Sequence, residues 1–254
     1  MAYDKKKVID IALAEVGYLE KESKAQLDDK TANAGDENIT KYARDLAGVS
    51  YFNGNKQGVA WCATFVSWCF YKAYGKTAAL KLQCQPSNTR NNCGAGCKYA
   101  RQYYQQKGQL FNSPQKGDQV FFYGSDGESI THTGLVYDVD DIYVYTVEGN
   151  TSSESGVVAN GGAVARKKYK LGYSRLAGFG RPEYGTQVVE EEKIEETVTA
   201  GKGYTLYTVQ RGDSLWTIAR EQLGKGKRYT EIMELNGLKS DLIRVGKVLK
   251  IPVK

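Results

Sequence analysis

At residues 113–118, "SPQKGD", the spacing of apolar residues changes, and that change limits what the longer part of the chain can become. Before it, apolar side chains recur at helical spacing. Val8, Ile11, Ala12, Ala14 and Val16 mark a helix over 4–22, a short one follows near 39–47, and a helical stretch lies near 95–107. Between them, Cys62, Phe65, Val66, Cys69, Phe70 and Ala73 form one apolar stripe on a helix over 61–74. After "SPQKGD" come short β-branched and aromatic runs: "QVFFYG", "THTGLVYDV", "IYVYTVEG", "GAVARKKYKL" and "LAGFGRP", punctuated by Gly, Asp and Pro. Helices first and strands afterwards predict an α+β domain, with N-terminal helices packed on an antiparallel sheet.

A second boundary lies at 187–203, "QVVEEEKIEETVTAGKG", with five Glu against two Lys and no Cys, Trp or Tyr. It reads as a solvated acidic linker. The expected organisation is therefore a domain over 1–186, a linker over 187–203 and a small domain over 204–254. The small domain reads as strand, helix, helix, strand. "LYTV" is a strand, Asp213 or Ser214 caps a helix over 215–223, residues 230–235 make a second helix, and "KVLKIP" closes the unit.

No apolar run approaches the length of a membrane span, so no membrane-spanning segment is expected. The start, "MAYDKKKVIDIALAEVGYLEK", reads as an amphipathic helix and not a secretory signal. A chain made in the cytoplasm without the ordinary export signal is expected, reaching any outside target after release. The net charge of +6 suits an acidic partner such as nucleic acid, anionic membrane or anionic cell wall, without choosing among them. Five cysteines cannot all pair within the chain, and the spacing of Cys84, Cys93 and Cys97 matches no zinc pattern, so no metal site is expected.

The single histidine, His132, narrows the search for chemistry. Cys62 and Cys69 share a helix face, where a buried cysteine acts as a small hydrophobe. Cys69 lies mid-helix and reads as packing. Cys62 lies in the first turn after "NGNKQG", where unpaired N–H groups and the helix dipole favour a thiolate. The runs around "DVDD" read as a hairpin. A three-residue loop over 139–141 places His132 directly across from Glu148, with Asn150 one step diagonal on the same face. An even loop sends Glu148 to the opposite face. In the first arrangement the carboxylate holds one imidazole nitrogen and leaves the other to exchange a proton with a thiol.

These pieces resemble the cysteine, histidine-dependent amidohydrolase/peptidase (CHAP) family, papain-like hydrolases of bacterial peptidoglycan. The matching stretches are "AEVGYLEK" (14–21), "AWCATFVSWCF" (60–70), "SPQKGDQVFF" (113–122), "THTGLVYDV" (131–139) and "VEGNTS" (147–152). The resemblance implies a papain-like head with Cys62 as nucleophile, His132 as base, Glu148 as orienting residue and Asn150 in support. It implies acyl transfer through a thioester, with the Cys62 N–H as a candidate oxyanion donor. Some members bind calcium through an acidic loop before the cysteine. Here "YFNGNKQG" offers Asn53 and Asn55 but no carboxylate, so calcium is not expected and no cofactor is implied.

The tail, "YTVQRGDSLWTIA … NGL … GKVLKIP", resembles the lysin motif (LysM), a βααβ module that grips N-acetylglucosamine-containing glycans. The resemblance places a groove at Gly212, Asp213, Ser214 and Leu215 and at Asn236, Gly237, Leu238, Leu242 and Ile243. Trp216 is expected in the core. The tail carries ten Lys/Arg against five Asp/Glu, which favours adhesion to anionic wall polymers.

Together the two resemblances imply a monomeric peptidoglycan hydrolase of the phage endolysin kind. Its head cuts an amide of the peptide part while its tail holds the sugar part. Neither nucleic acid nor a membrane is an expected partner. The bond is either the muramoyl–alanine amide or one in the stem or cross-bridge. Two other readings are a non-catalytic wall-binding protein with a degenerate head, and a thiol transferase, which gives the tail no purpose.

Overall fold

The computed structural model describes residues 2–49, 57–86, 96–153, 155–157, 161–185, 203–209, 213–238, 241, 243 and 247–253. The chain divides into two compact units, 1–188 and 189–254. Of the expected linker, only Gly203 lies within the described residues.

Among the described residues, the first unit opens with four helices: α1 (Lys5–Ala14), α2 (Lys41–Leu46), α3 (Cys62–Leu82) and α4 (Cys97–Gln106). Asp4 caps α1 by accepting from the Lys6 N–H, and Thr40 caps α2 by accepting from that of Ala43. The first helix is shorter than its periodicity suggests, because Gly17 takes a left-handed φ of 92° and the chain then runs extended. Glu20 N donates to Gly162 O and Lys21 N to Ile39 O. The helix expected over 61–74 stops at Gly75, whose φ of 72° breaks α3 before a further stretch to Leu82.

Six strands follow among the described residues: β1 (Leu110–Phe111), β2 (Gln119–Tyr123), β3 (Ile130–Val139), β4 (Tyr143–Thr151), β5 (Ala163–Lys170) and β6 (Leu176–Gly180). They form one antiparallel sheet in the order β1-β6-β2-β3-β4-β5. The architecture is α+β, as the order of periodicities implies, although two-residue β1 is too short to leave a pattern. Leu135, Val147 and Val164 face α1 and α3, meeting Val8, Ala12, Phe65, Val66 and Cys69. The other face carries Val120, Phe122, Val136, Val144, Tyr169 and Phe179. Alternation along the strands thus sends Leu135 and Val147 to one core and Val136 and Val144 to the other.

The β3–β4 register differs from the expected one. The turn spans four residues, 140–143, and Asp140 fixes it by accepting from the Ile142 and Tyr143 N–H groups. That even loop alone would separate His132 and Glu148 onto opposite faces. A bulge between Val136 and Asp138 adds one residue to β3 and restores the parity. Beyond it Val136 pairs with Thr146 and Leu135 with Val147, so Glu148 stands opposite Gly134 and not opposite His132. The two side chains share a face on a diagonal.

The second unit is β7 (Tyr204–Thr208), α5 (Leu215–Leu223), a short 3-10 turn (Gly226–Arg228), α6 (Tyr229–Leu235) and β8 (Val248–Pro252). β7 and β8 pair antiparallel, giving the expected βααβ order. Ser214 caps α5 in a reciprocal box with Thr217. Its core is Val209, Leu215, Ile218, Ala219, Leu223, Ile232, Leu249 and Ile251. Trp216 corrects the expectation: it is 47% exposed, lying over Gly226 and under the Arg220 guanidinium. Leu215, Ile218, Ala219 and Leu223 already fill the i, i+3, i+4 stripe, and Trp216 projects about 100° away from Leu215. Among the described residues, no helix is long and apolar enough to cross a membrane.

Candidate active site

Cys62 is the first residue of α3, and its position is fixed by the residue before it. Trp61 is fully buried and donates from Nε1 to Glu20 Oε2 at 2.8 Å. Glu20 lies in the extended stretch after α1, so the "AEVGYLEK" segment anchors the helix start. Gly149 of β4 allows the approach, since a Cβ there would lie 2.6 Å from Phe65 Cβ and 2.8 Å from the Trp61 ring. Trp61 offers no side-chain cap, leaving the first amides of α3 available, and the Ala63 N–H points at the Cys62 sulfur.

His132, on β3, and Glu148, on β4, are both fully buried and joined by Nε2···Oε2 at 2.9 Å. Glu148 is itself held. Thr146 Oγ1 donates to Oε1 at 2.6 Å and Tyr169 OH, from β5, donates to Oε2 at 3.2 Å. The Phe122 and Tyr169 rings lie 4.7 Å apart by centroid, with Phe122 5.8 Å from the imidazole. With Nε2 committed to the carboxylate, Nδ1 is left without a conventional hydrogen-bond partner and is the nitrogen available to Cys62.

Electrostatics favour a thiolate–imidazolium pair. The Cys62 thiol is held well below its ordinary value by the Cys97 thiol, whose Sγ lies 3.4 Å away, and by His132 and the Ala63 N–H, against burial. Burial pushes His132 down, but Cys62 and Glu148 outweigh it and carry the imidazole up to about 10. Such a pair supplies a nucleophile and a proton donor for the leaving group. Cys69 behaves in the opposite way: it is fully buried in the α1–α3 core, and that burial pushes its thiol up.

Of the residues singled out in the sequence, Cys62, His132 and Glu148 form one connected set. Asn150 is buried further along β4 in a left-handed conformation, its carbonyl accepting from the Gly161 N–H. Sequence reasoning missed Thr146, Tyr169, Cys97 and the Glu20–Trp61 anchor. Thr146 was detectable, two residues before Glu148 and so on its face. Tyr169 and Cys97 come from other elements and left no local signal.

In the second unit Leu215, expected at the groove, is buried in the core with Ile218 and Ile251. Asp213 accepts from Tyr207 OH at 2.9 Å, and Ser214 is the α5 cap. Asn236 bonds the Ile232 carbonyl and both backbone groups of Lys250, tying α6 to β8. Gly237 is exposed, and Leu238 and Ile243 pack partly against the core. Gly212, Leu242, Cys93, Asn53 and Asn55 lie outside the described residues. Among the described residues, no three His, Cys, Asp or Glu cluster to hold a metal.

Comparison with known proteins finds one family match within each unit. Residues 54–150 match the family model for the CHAP domain, and residues 207–252, after them, match that for the LysM domain. A 45-residue stretch is 53% identical to the probable peptidoglycan endopeptidase LytE of Bacillus subtilis (strain 168). That match covers 18% of this chain and 13% of LytE. Among solved structures, the crystal structure of Ly7917 is 14% identical with a TM-score of 0.40, covering 81% of this chain and 65% of that one. The crystal structure of Ly7917 with the hydrolyzing product of MDP is 15% identical with a TM-score of 0.41, covering 81% and 66%.

Proposed function

We propose that this chain, a CHAP domain followed by a LysM domain, is a cysteine-dependent peptidoglycan hydrolase that cuts an amide bond in the peptide part of the wall. The observation that carries the reading is the buried His132–Glu148 pair at 2.9 Å, set beside a thiol at a helix start. In the resting state Cys62 is a thiolate and His132 an imidazolium. The thiolate attacks the amide carbonyl, and the first amides of α3 face the oxygen where negative charge develops. His132 Nδ1 gives its proton to the leaving amine, and the C–N bond breaks to leave a thioester on Cys62. Neutral His132 then takes a proton from water as that water attacks the thioester, regenerating the thiolate–imidazolium pair. Glu148 holds the ring throughout and stabilises its charged form.

The second unit holds the glycan part of the same polymer. Tethering then raises the effective substrate concentration at the head without adding contacts at the scissile bond. The five-charge basic excess of residues 204–254 adds attraction to anionic wall polymers.

Zymography on purified cell walls tests the reading. The parent should clear the wall and Cys62→Ala should not; equal clearing by both would reject the cysteine mechanism. Mass spectrometry of the released muropeptides then identifies the bond. New alanine amino termini with intact stems mean an amidase, and cut stems or bridges mean an endopeptidase.

A further inference from the structure

We propose that Cys97 is a positioning residue for the nucleophile: from the first turn of α4 its S–H donates to the Cys62 sulfur and holds that sulfur as the attacking anion. The consequence for catalysis rests on the hydrolase reading above; the contact itself does not.

The two sulfurs lie 3.4 Å apart, both buried, in a small cluster with Ala63 and partly buried Ile130. That separation suits an S–H···S contact and is far beyond a disulfide bond of about 2.05 Å. Two adjacent buried sulfurs cannot both ionise at neutral pH, so one must keep its proton. The surroundings decide which. Cys62 faces the His132 imidazolium from β3, with Glu148 behind it on β4, and receives the Ala63 N–H from its own helix. Cys97 faces the Cys62 sulfur across the contact, and this together with burial pushes its thiol well up. Cys97 therefore remains the S–H and Cys62 the acceptor.

Neither of the other described free cysteines has this relationship. Cys69 lies in the apolar core between α1 and α3, and Cys84 Sγ donates to Gln109 Oε1 at 3.2 Å. As a plain filler, Cys97 could be replaced by any small apolar residue. As a donor it tolerates only a residue that keeps the hydrogen.

The test is the pH dependence of iodoacetamide alkylation in the full chain, read at Cys62 by peptide mass spectrometry, alongside the pH profile of wall lysis. Cys97→Ala should move the Cys62 midpoint upward by about one pH unit, a tenfold loss of thiolate on the acid side. The acid limb of lysis should move with it. Cys97→Ser, which keeps a donor, should return both toward the parent. An unmoved midpoint in folded Cys97→Ala overturns the proposal, and so does an equal shift in the Ser and Ala variants. Should the Ala variant not fold, Cys97→Val, similar in volume but without a donor, is compared with Cys97→Ser on the same criteria. Alkylation needs no substrate. A midpoint shift without wall lysis by the parent would therefore reject the hydrolase reading and leave the role of Cys97 standing.

Discussion

Glu148 occupies the space over Gly134: a Cβ built at 134 would lie 2.5 Å from Glu148 Cγ and 3.0 Å from the Val147 carbonyl oxygen. The carboxylate that holds the imidazole is thus seated on a strand position that must lack a side chain. Gly134→Ala should push Glu148 off His132 and open the β3–β4 ladder locally. Overpacking at such a site costs about 1–3 kcal/mol. Wall-lysis rates should fall roughly a hundredfold, the loss expected when a general acid–base group is misplaced. Turbidity assays and a thermal melt check the two effects, and full activity in the Ala variant would contradict this seating.

The charge of Glu148 sets the alkaline side of the pH profile. Activity should rise as Cys62 loses its proton, below the ordinary thiol range, and fall as the His132 imidazolium deprotonates near 10. Glu148→Gln removes an anion that raises His132, so the imidazolium is lost at lower pH and the alkaline limb moves down. It also removes the charged acceptor of the Thr146 and Tyr169 hydroxyls. Lysis rates at the optimum should drop by about 10² to 10³. An unshifted alkaline limb in the Gln variant would show that Glu148 orients the ring without setting its charge.

What can be read from the sequence follows from how local each signal is. Apolar spacing is local, so α2, the start of α3, α4 and five of the six sheet strands are legible in residue order alone. Cys62 stands out because a helix start changes a thiol through its immediate neighbours. The pairing of His132 with Glu148 arises by a different path from the one expected. The turn has four residues instead of three, and the bulge near Tyr137 offsets the difference. Bulges depend on the twist of the assembled sheet and leave little trace in residue type. Tyr169 reaches Glu148 from β5 and Cys97 reaches Cys62 from α4, contacts that only the tertiary fold creates. The size of Trp216 suggests burial, yet smaller residues already fill the α5 stripe and leave it outside.

Cys69 gives a contrast with Cys62 within one helix. It is enclosed by the α1–α3 core, where burial pushes its thiol up. Cys69→Ala removes one sulfur and leaves a small cavity, costing on the order of 1 kcal/mol. Chemical denaturation should show that loss, while the lysis rate of the folded protein stays at the parent level. A rate loss beyond the change in folded fraction would mean that Cys69 supports the site.

Asn236 provides the corresponding test in the second unit. Its amide donates to the Ile232 and Lys250 carbonyls, each at 2.7 Å, and its Oδ1 accepts from the Lys250 N–H at 2.8 Å. One side chain thus closes α6 against β8, next to the exposed Gly237. Asn236→Ala removes three hydrogen bonds that tie α6 to β8, each contributing about 0.5–1.5 kcal/mol net and less where water takes over. The small core of this unit offers little to offset that loss. Retention of the full chain on purified walls should therefore weaken. Alkylation of Cys62 in the first unit should keep its parental pH midpoint. Unchanged wall retention in a variant whose second unit melts earlier would place adhesion elsewhere in the chain; a moved Cys62 midpoint would couple the two units.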